Sequence, residues 1–346
     1  ASCVSAFGLV ASMTSSVLGL TCAIFGVGFG IGGLTIPFDI LAEFSPAEGR
    51  GGNLLFIQYF WTTGSLFVVL VAYTTLHGDH DRWRLFVALC TLPCFISLVI
   101  GYIFVPESAR WLSTQERTEE ALQILRDAAE ENGLDPDVVF PVDTELIPEP
   151  HHPEASIRDL LHPRWRKNTL YTWGVWLMFT FGYYGTIMAT TEVFSNQADS
   201  SRMLLAANAN TTDGTEAYGF DYGAIFVSSA AEFLGTTGAI LAVDTYGRIP
   251  SQVVSYTAGG ISVFLLCFFA AARAHKSILL TFGFIARSFE MAATCVTWVA
   301  TAEIFATEVR GVGHATSNAV ARIGAMACPF LINKRSNSLL TIVLLM

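Results

Sequence analysis

Along most of the chain the polar positions are few and bunched, and apolar blocks of about twenty residues run between them. Residues 1–38 hold no charged side chain. As one helix they would be about 57 Å long at 1.5 Å per residue, nearly twice a bilayer core of ~30 Å. The pattern therefore predicts two spans, with the polar group Thr14, Ser15 and Ser16 as their hairpin and a glycine-rich second span (Gly26, Gly28, Gly30, Gly32, Gly33) suited to close helix approach in lipid. Further runs cover 53–76, 85–105, 169–191, 222–243, 249–272, 279–305 and 312–332, and a last one begins at Leu339. About nine complete spans are expected.

The polar interruptions divide the chain into 1–112, a central loop at 113–168, and 169–346. In the central loop, Ser113 with Glu116 reads as a capping box opening a charged amphipathic helix that runs through Glu131 and stops at Gly133 and Pro136. An acidic Pro-rich linker follows (Pro141, Pro148, Pro150, Pro153), then a basic re-entry at Arg164, Arg166 and Lys167. A second polar loop, 192–221, carries the sequon Asn210, Thr211, Thr212, which makes Asn210 a candidate glycosylation site.

Two of the charged turns are copies of one another. Ala302–Gly311 reads AEIFATEVRG and Ala42–Gly51 reads AEFSPAEGRG, identical at five of ten positions and each closing a long apolar run. The offset of 260 residues (302 against 42) places the counterpart of Asp244–Arg248 before residue 1 and that of Pro106 near 366. On this ruler the chain is a fragment of a twelve-span protein, six per half, lacking two helices in front and most of one behind. Parallel duplication of a helix bundle is a transporter architecture.

Composition supports the membrane reading: 52% of the 346 residues are hydrophobic and 14% are charged, against about 25% charged in soluble domains. All seven cysteines fall in apolar runs without a partner at metal spacing, so no metal or other cofactor is expected. A net charge of -10 without a basic patch argues against nucleic acid. No Walker, GxSxG or HExxH pattern is present, so an enzyme is not expected.

Short motifs add a resemblance. PESARWL (Pro106–Leu112), DTYGR (Asp244–Arg248) and the two AE…RG turns, in this order and spacing, resemble the major facilitator superfamily near its sugar-porter and organic-ion branches. IPFDILAEFSP (36–46), FGYYG (181–185), AAEFLG (230–235) and ARIGAMACPF (321–330) are similar to helices four, seven, eight and eleven of its synaptic vesicle glycoprotein and related-protein branch. The resemblance implies an all-α polytopic membrane protein of two pseudo-symmetric helix bundles, in the plasma membrane or a vesicle or endomembrane. It implies a monomer whose central loop is cytoplasmic. It also implies a cytoplasmic gate network of Glu43, Arg50, Glu107, Arg110, Asp244, Arg248, Glu303 and Arg310. Two positions depart from the family pattern. Ala23 replaces an arginine that serves as a gate contact, and Ala306 replaces the proline before TEVRG, a change expected to straighten a helix end.

Charges within the spans carry the chemistry. Glu232 is eleventh in a run of twenty-two, where a charge costs about 2.5–3.5 kcal/mol and must be offset. Arg322 is similarly central, Arg287 and Glu290 share a helical face, and Asp39 lies one turn before Glu43. Shifted by 260, Asp39 falls on Val299, and Arg287, Glu290 and Arg322 fall on Val27, Gly30 and Thr62. A shared scaffold would repeat its charges, whereas a solute or proton site need not. Asp39, Glu232, Arg287, Glu290 and Arg322 are therefore candidates for a central cavity, with Tyr183 and Tyr184 among the aromatic residues lining it, beside Trp176 and Trp298. A carboxylate there can load and release a proton, and an arginine can hold an anionic group. The expected function is proton-coupled secondary active transport of a small organic solute, a sugar or organic ion, across the lipid bilayer by alternating access. The alternative is a non-transporting receptor or vesicle scaffold of the same architecture.

Overall fold

In the computed structural model the backbone is described for residues 1–46, 49–76, 82–141, 143–146, 155–209 and 221–333. The side chains of Glu43, Thr114, Thr307 and Glu308, and those of 195–209 and 331–333, lie outside that description, as does Asn210. The described residues form fifteen α-helices. The first half holds α1 (Ser2–Met13), α2 (Val17–Ile31), α3 (Thr35–Phe44), α4 (Arg50–Leu55), α5 (Gln58–Leu76) and α6 (Trp83–Phe104). The central segment holds α7 (Ala109–Thr114), α8 (Thr118–Glu131), α9 (Pro136–Val139) and α10 (Ile157–Leu160). The second half holds α11 (Arg166–Ala209), α12 (Tyr222–Val243), α13 (Arg248–Ala271), α14 (Lys276–Ile304) and α15 (Thr307–Asn333).

The charge-free opening run breaks where its polar residues fall. Ser16 caps α2, its hydroxyl accepting from Gly19 N at 3.0 Å, so the run becomes the α1–α2 hairpin. Among the described residues, six helical stretches are long and apolar enough to cross a bilayer: Val17–Ala42, Arg50–Leu76, Trp83–Phe104, Tyr222–Val243, Arg248–Ala271 and Lys276–Ile304. α1, at twelve residues, is short for a span. α11 and α15 occupy the positions of two further predicted spans.

Two sequence expectations need correction. The amphipathic helix does not open on a Ser113–Glu116 box. Ser108 caps the preceding helix, accepting from Trp111 N at 3.1 Å, so Ser113 lies inside α7. Glu116 then takes a left-handed φ of 61° and α8 starts at Thr118. Nor does Ala306 straighten its helix end, because α14 stops at Ile304 with Phe305 extended (φ -95°, ψ 135°) and α15 begins afresh at Thr307. Phe305 is held there by Leu160 and Val309 in a small apolar core. The stop at Gly133 stands: its φ is 73°, and Leu134 N closes back on Ala129 O at 2.9 Å.

α1 packs on α2 and α6, while α12, α14, α13, α11 and α15 form the second bundle. The two meet where α4 and α5 lie on α12 and where α3 lies on α15. The main core sits on this seam: Phe38, Leu54 and Leu55 from the first half join Trp176, Met291, Val296 and Trp298 from the second. The central segment docks at one end, with Leu160 of α10 buried against Phe305 and Val309.

Candidate functional site

Glu232 stands at the middle of α12 and is fully buried. Its Oε1 accepts from Arg287 Nη2 on α14 at 2.5 Å and from the Tyr183 hydroxyl on α11 at 3.0 Å. The Tyr183 oxygen in turn accepts from Trp61 Nε1 on α5 at 2.8 Å. A hydrogen-bonded chain thus crosses from the first half into the charged centre of the second. The Arg287 guanidinium also lies 5.7 Å from the Tyr183 ring centroid, within cation–π range. Glu290, one turn beyond Arg287, is buried too. Its carboxylate fits a notch made by Gly259 on α13 and Gly182 on α11, where an added Cβ would come within 3.1 Å and 3.7 Å of it. No hydrogen bond from a described residue reaches that carboxylate.

Between the halves lies a cavity of about 40 Å³ whose walls include Trp61, Trp176, Tyr183, Tyr184, Trp298 and Arg322. Arg322 is held by Asn318 Oδ1 at 3.2 Å. The space suits a water and not a sugar-sized solute. A larger hollow of about 650 Å³ lies between α12, α13 and α14, lined by residues such as Leu234, Val254 and Phe284. Its lining includes Gly235, Ser288 and Phe289, close in sequence to Glu232 and Arg287, but no charged side chain.

The end that carries the central segment is latched by charge. Arg248 grips Glu303 with two parallel bonds, Nε–Oε2 at 2.6 Å and Nη2–Oε1 at 2.7 Å, and pairs with Asp244 at 3.1 Å. Asp244 reaches across the seam, its Oδ2 accepting from Gly52 N at 3.0 Å in the first turn of α4. A Cβ on Gly51 would stand 2.6 Å from Asp244 Oδ1, so glycine permits the approach. Gly247, at φ 88°, makes the tight DTYGR turn that returns Arg248 beneath Asp244. Arg50 donates to Ser45 O at 3.2 Å within its own turn. Glu107 accepts from Ser108 N at 3.3 Å and so serves its own chain entry. Arg110 lies on α7 and Arg310 on α15.

A family profile described as "Sugar (and other) transporter" matches residues 1–341. The chain belongs to that family. It is 32% identical over 315 residues to the synaptic vesicle 2-related protein of Xenopus laevis, covering 88% of this chain and 54% of that protein. It is 29% identical over 338 residues to the organic cation/carnitine transporter 7 of Arabidopsis thaliana, covering 88% of this chain and 65% of that one. The fold matches the partially occluded inward open xylose transporter XylE from E. coli, with a TM-score of 0.65 at 17% identity over 99% of this chain and 76% of that chain. The fold is that of the major facilitator superfamily, and the chain is an integral multi-pass membrane protein. It spans about half the length of the first curated relatives it matches.

Within that family frame, the structure gathers Glu232, Arg287, Glu290 and Tyr183 into one buried group, with Arg322 and Tyr184 in the adjoining cavity wall. Asp39 goes elsewhere. Its Oδ1 meets His314 Nδ1 at 3.0 Å across the α3–α15 seam, behind Trp176 and Trp298. Sequence reading missed His314 and Trp61. The 260-residue ruler contained the signal, for it pairs His314 with Leu54 and Trp61 with Ala321, so both are private to one half.

Proposed function

We propose that this chain is the working part of a secondary active transporter, which takes a small organic solute into the cavity between its halves and moves it by alternating access, with protons as the driving ion. The observation that carries the reading is an imbalance of buried charge. Two carboxylates, Glu232 and Glu290, face one buried guanidinium, Arg287. An uncompensated ion in the low-dielectric interior costs several kcal/mol. A proton is the smallest partner that removes the excess, and a cationic group on the solute is the other. In this reading Glu232 and Glu290 carry the coupling charge, Arg322 and the aromatic walls meet the solute, and Asp244, Arg248 and Glu303 close the cytoplasmic end as a monomer in the plasma membrane or a vesicle membrane. One relative is named for organic cations and carnitine, and a structural neighbour is titled a proton:xylose symporter. Those two solute classes are therefore tried first.

The test is uptake by the full-length protein in proteoliposomes. Glu232→Gln keeps an oxygen for Tyr183 and Arg287, and Glu290 remains one turn away to offset the arginine, so the variant is expected to fold and insert. It should abolish accumulation driven by a proton gradient while sparing solute exchange. Normal gradient-driven uptake by the variant would sink the coupling role. A solute screen of sugars, acids, organic cations and amines that raised no melting temperature would favour the receptor or scaffold alternative instead.

A further inference from the structure

His314 is a buried titratable group that the proposed coupling site does not use. Its ring is fully enclosed. Nδ1 faces Asp39 across the seam between the halves, and no described donor or acceptor reaches the buried Nε2. The ring centroids of Trp298, Trp176 and Phe38 stand 5.0, 5.6 and 5.7 Å away. The Trp176 indole N–H is committed to Thr301 at 2.8 Å. A neutral imidazole that donates to Asp39 would leave its Nε2 lone pair buried with no described donor. An imidazolium instead makes that nitrogen a donor among aromatic rings and sets a full positive charge beside the Asp39 carboxylate, a stronger hold than the single hydrogen bond from a neutral imidazole.

From this geometry we infer that His314 and Asp39 form a proton-loaded latch between the two halves, distinct from the Asp244–Arg248–Glu303 cluster. Protonated, it holds α15 against α3. Deprotonated, it keeps only the hydrogen bond from a neutral imidazole to the carboxylate, loses the ion pair, and lets the seam part. Asp39 leaves 23% of its side chain exposed while His314 has none, so Asp39 is the more accessible member of the pair. Among the described side chains, α11 and α14 turn Trp176 and Trp298 toward the ring, and α3 supplies Asp39. The nearest other charged residues along these helices are Glu43 on α3, Glu303 on α14, already gripped by Arg248, and Arg310 one turn earlier on α15. Trp176 and Trp298 also wall the central cavity, so the same two rings touch both the latch and whatever fills the cavity. The inference deepens the alternating-access reading and rests on it.

The test follows a cysteine placed at Ala42, a buried position on α3 one turn past Asp39. The full-length protein, with its native cysteines replaced, carries Ala42→Cys and is labelled by a membrane-impermeant maleimide from about pH 5.5 to about pH 8. Labelling at the exposed position Val138, as Val138→Cys, corrects for the pH dependence of thiol reactivity. The corrected rate is expected to rise several-fold with pH in the parent and to stay flat in both His314→Gln and Asp39→Asn. A flat parent, or a His314→Gln protein that tracks the parent, overturns the inference. If His314→Gln fails to insert, Asp39→Asn decides, because the near-isosteric amide removes the charge and keeps the side chain's shape. Labelling needs no solute. A protein that moves nothing yet opens with pH would fail the transport reading and keep this one, and pH-independent labelling in a working transporter would do the reverse.

Discussion

Asp221 holds the first turn of α12 in two ways. Its Oδ1 caps the helix, accepting from Ala224 N at 3.0 Å, and its Oδ2 pairs with Lys276 at the start of α14. Burial alone would raise its pKa, but the Lys276 ammonium and the backbone N–H groups outweigh it and hold the carboxyl below its ordinary value. A depressed folded pKa contributes stability that is complete above the unfolded value of about 3.9 and is lost as pH falls through the folded one. Asp221→Asn keeps a good cap, since asparagine serves as well as aspartate there. It should therefore lose only the ion pair, under about 1 kcal/mol for so exposed a contact. Melting curves of the two proteins should stay apart from neutral pH down to about pH 5 and converge below about pH 4. At this scale the sequence is legible where a charge interrupts an apolar run. Glu232 and Arg287 stand out in that way, whereas His314 sits in the mixed stretch GVGHATSNAV and looks ordinary until the repeat sets Leu54 opposite it.

Helices α12 and α14 approach more closely than their side chains suggest, because Gly235 gives its place to the backbone of the partner. A Cβ there would strike the Ser288 carbonyl oxygen, which belongs to the turn of α14 carrying Arg287 and Glu290. Ser288 Oγ donates to Ala231 O at 3.0 Å across the same contact. Gly235→Ala should push the helices apart and lower stability by about 1–3 kcal/mol, as overpacking does. Gly238→Ala, one turn on and with open space around it, should leave the melting temperature unchanged or slightly raised. Equal effects at the two positions would mean that close packing at Gly235 is not what matters. Element boundaries were legible where the cap is local and unopposed, as at Ser16 and Gly133. The Ser113 box failed because Ser108 captured the same stretch five residues earlier, a competition between neighbours that a motif read alone does not register. Which helices touch was not legible at all, since lipid-facing and core-facing runs are equally apolar.

For the whole molecule, the repeat foretold two bundles but not which charges join them. Among the described side chains, the gate residues Asp244, Arg248 and Glu303 form one continuous cluster, and all three belong to the second half. They engage the first half through a backbone group, Gly52 N, which leaves no side-chain signature in the sequence. This makes Arg248 the pivot, since it ties Glu303 to Asp244 and steadies the carboxylate that reaches across the seam. Lysine keeps the charge there but cannot make the two-pronged contact. If the closed end loses about 1.4 kcal/mol with Arg248→Lys, the balance between closed and open arrangements moves tenfold. Spin labels on the full-length protein at Phe44, on α3, and Ile249, on α13, span the seam from exposed positions. The parent should give one short distance, and Arg248→Lys should add a longer population of several ångströms more. Arg117→Lys, which disturbs only the exposed pair with Glu120 on the central segment, should leave the distribution as it was. A distribution unmoved by Arg248→Lys would mean that closure depends on the aromatic seam around Phe38, Trp176 and Trp298 and not on the charge cluster.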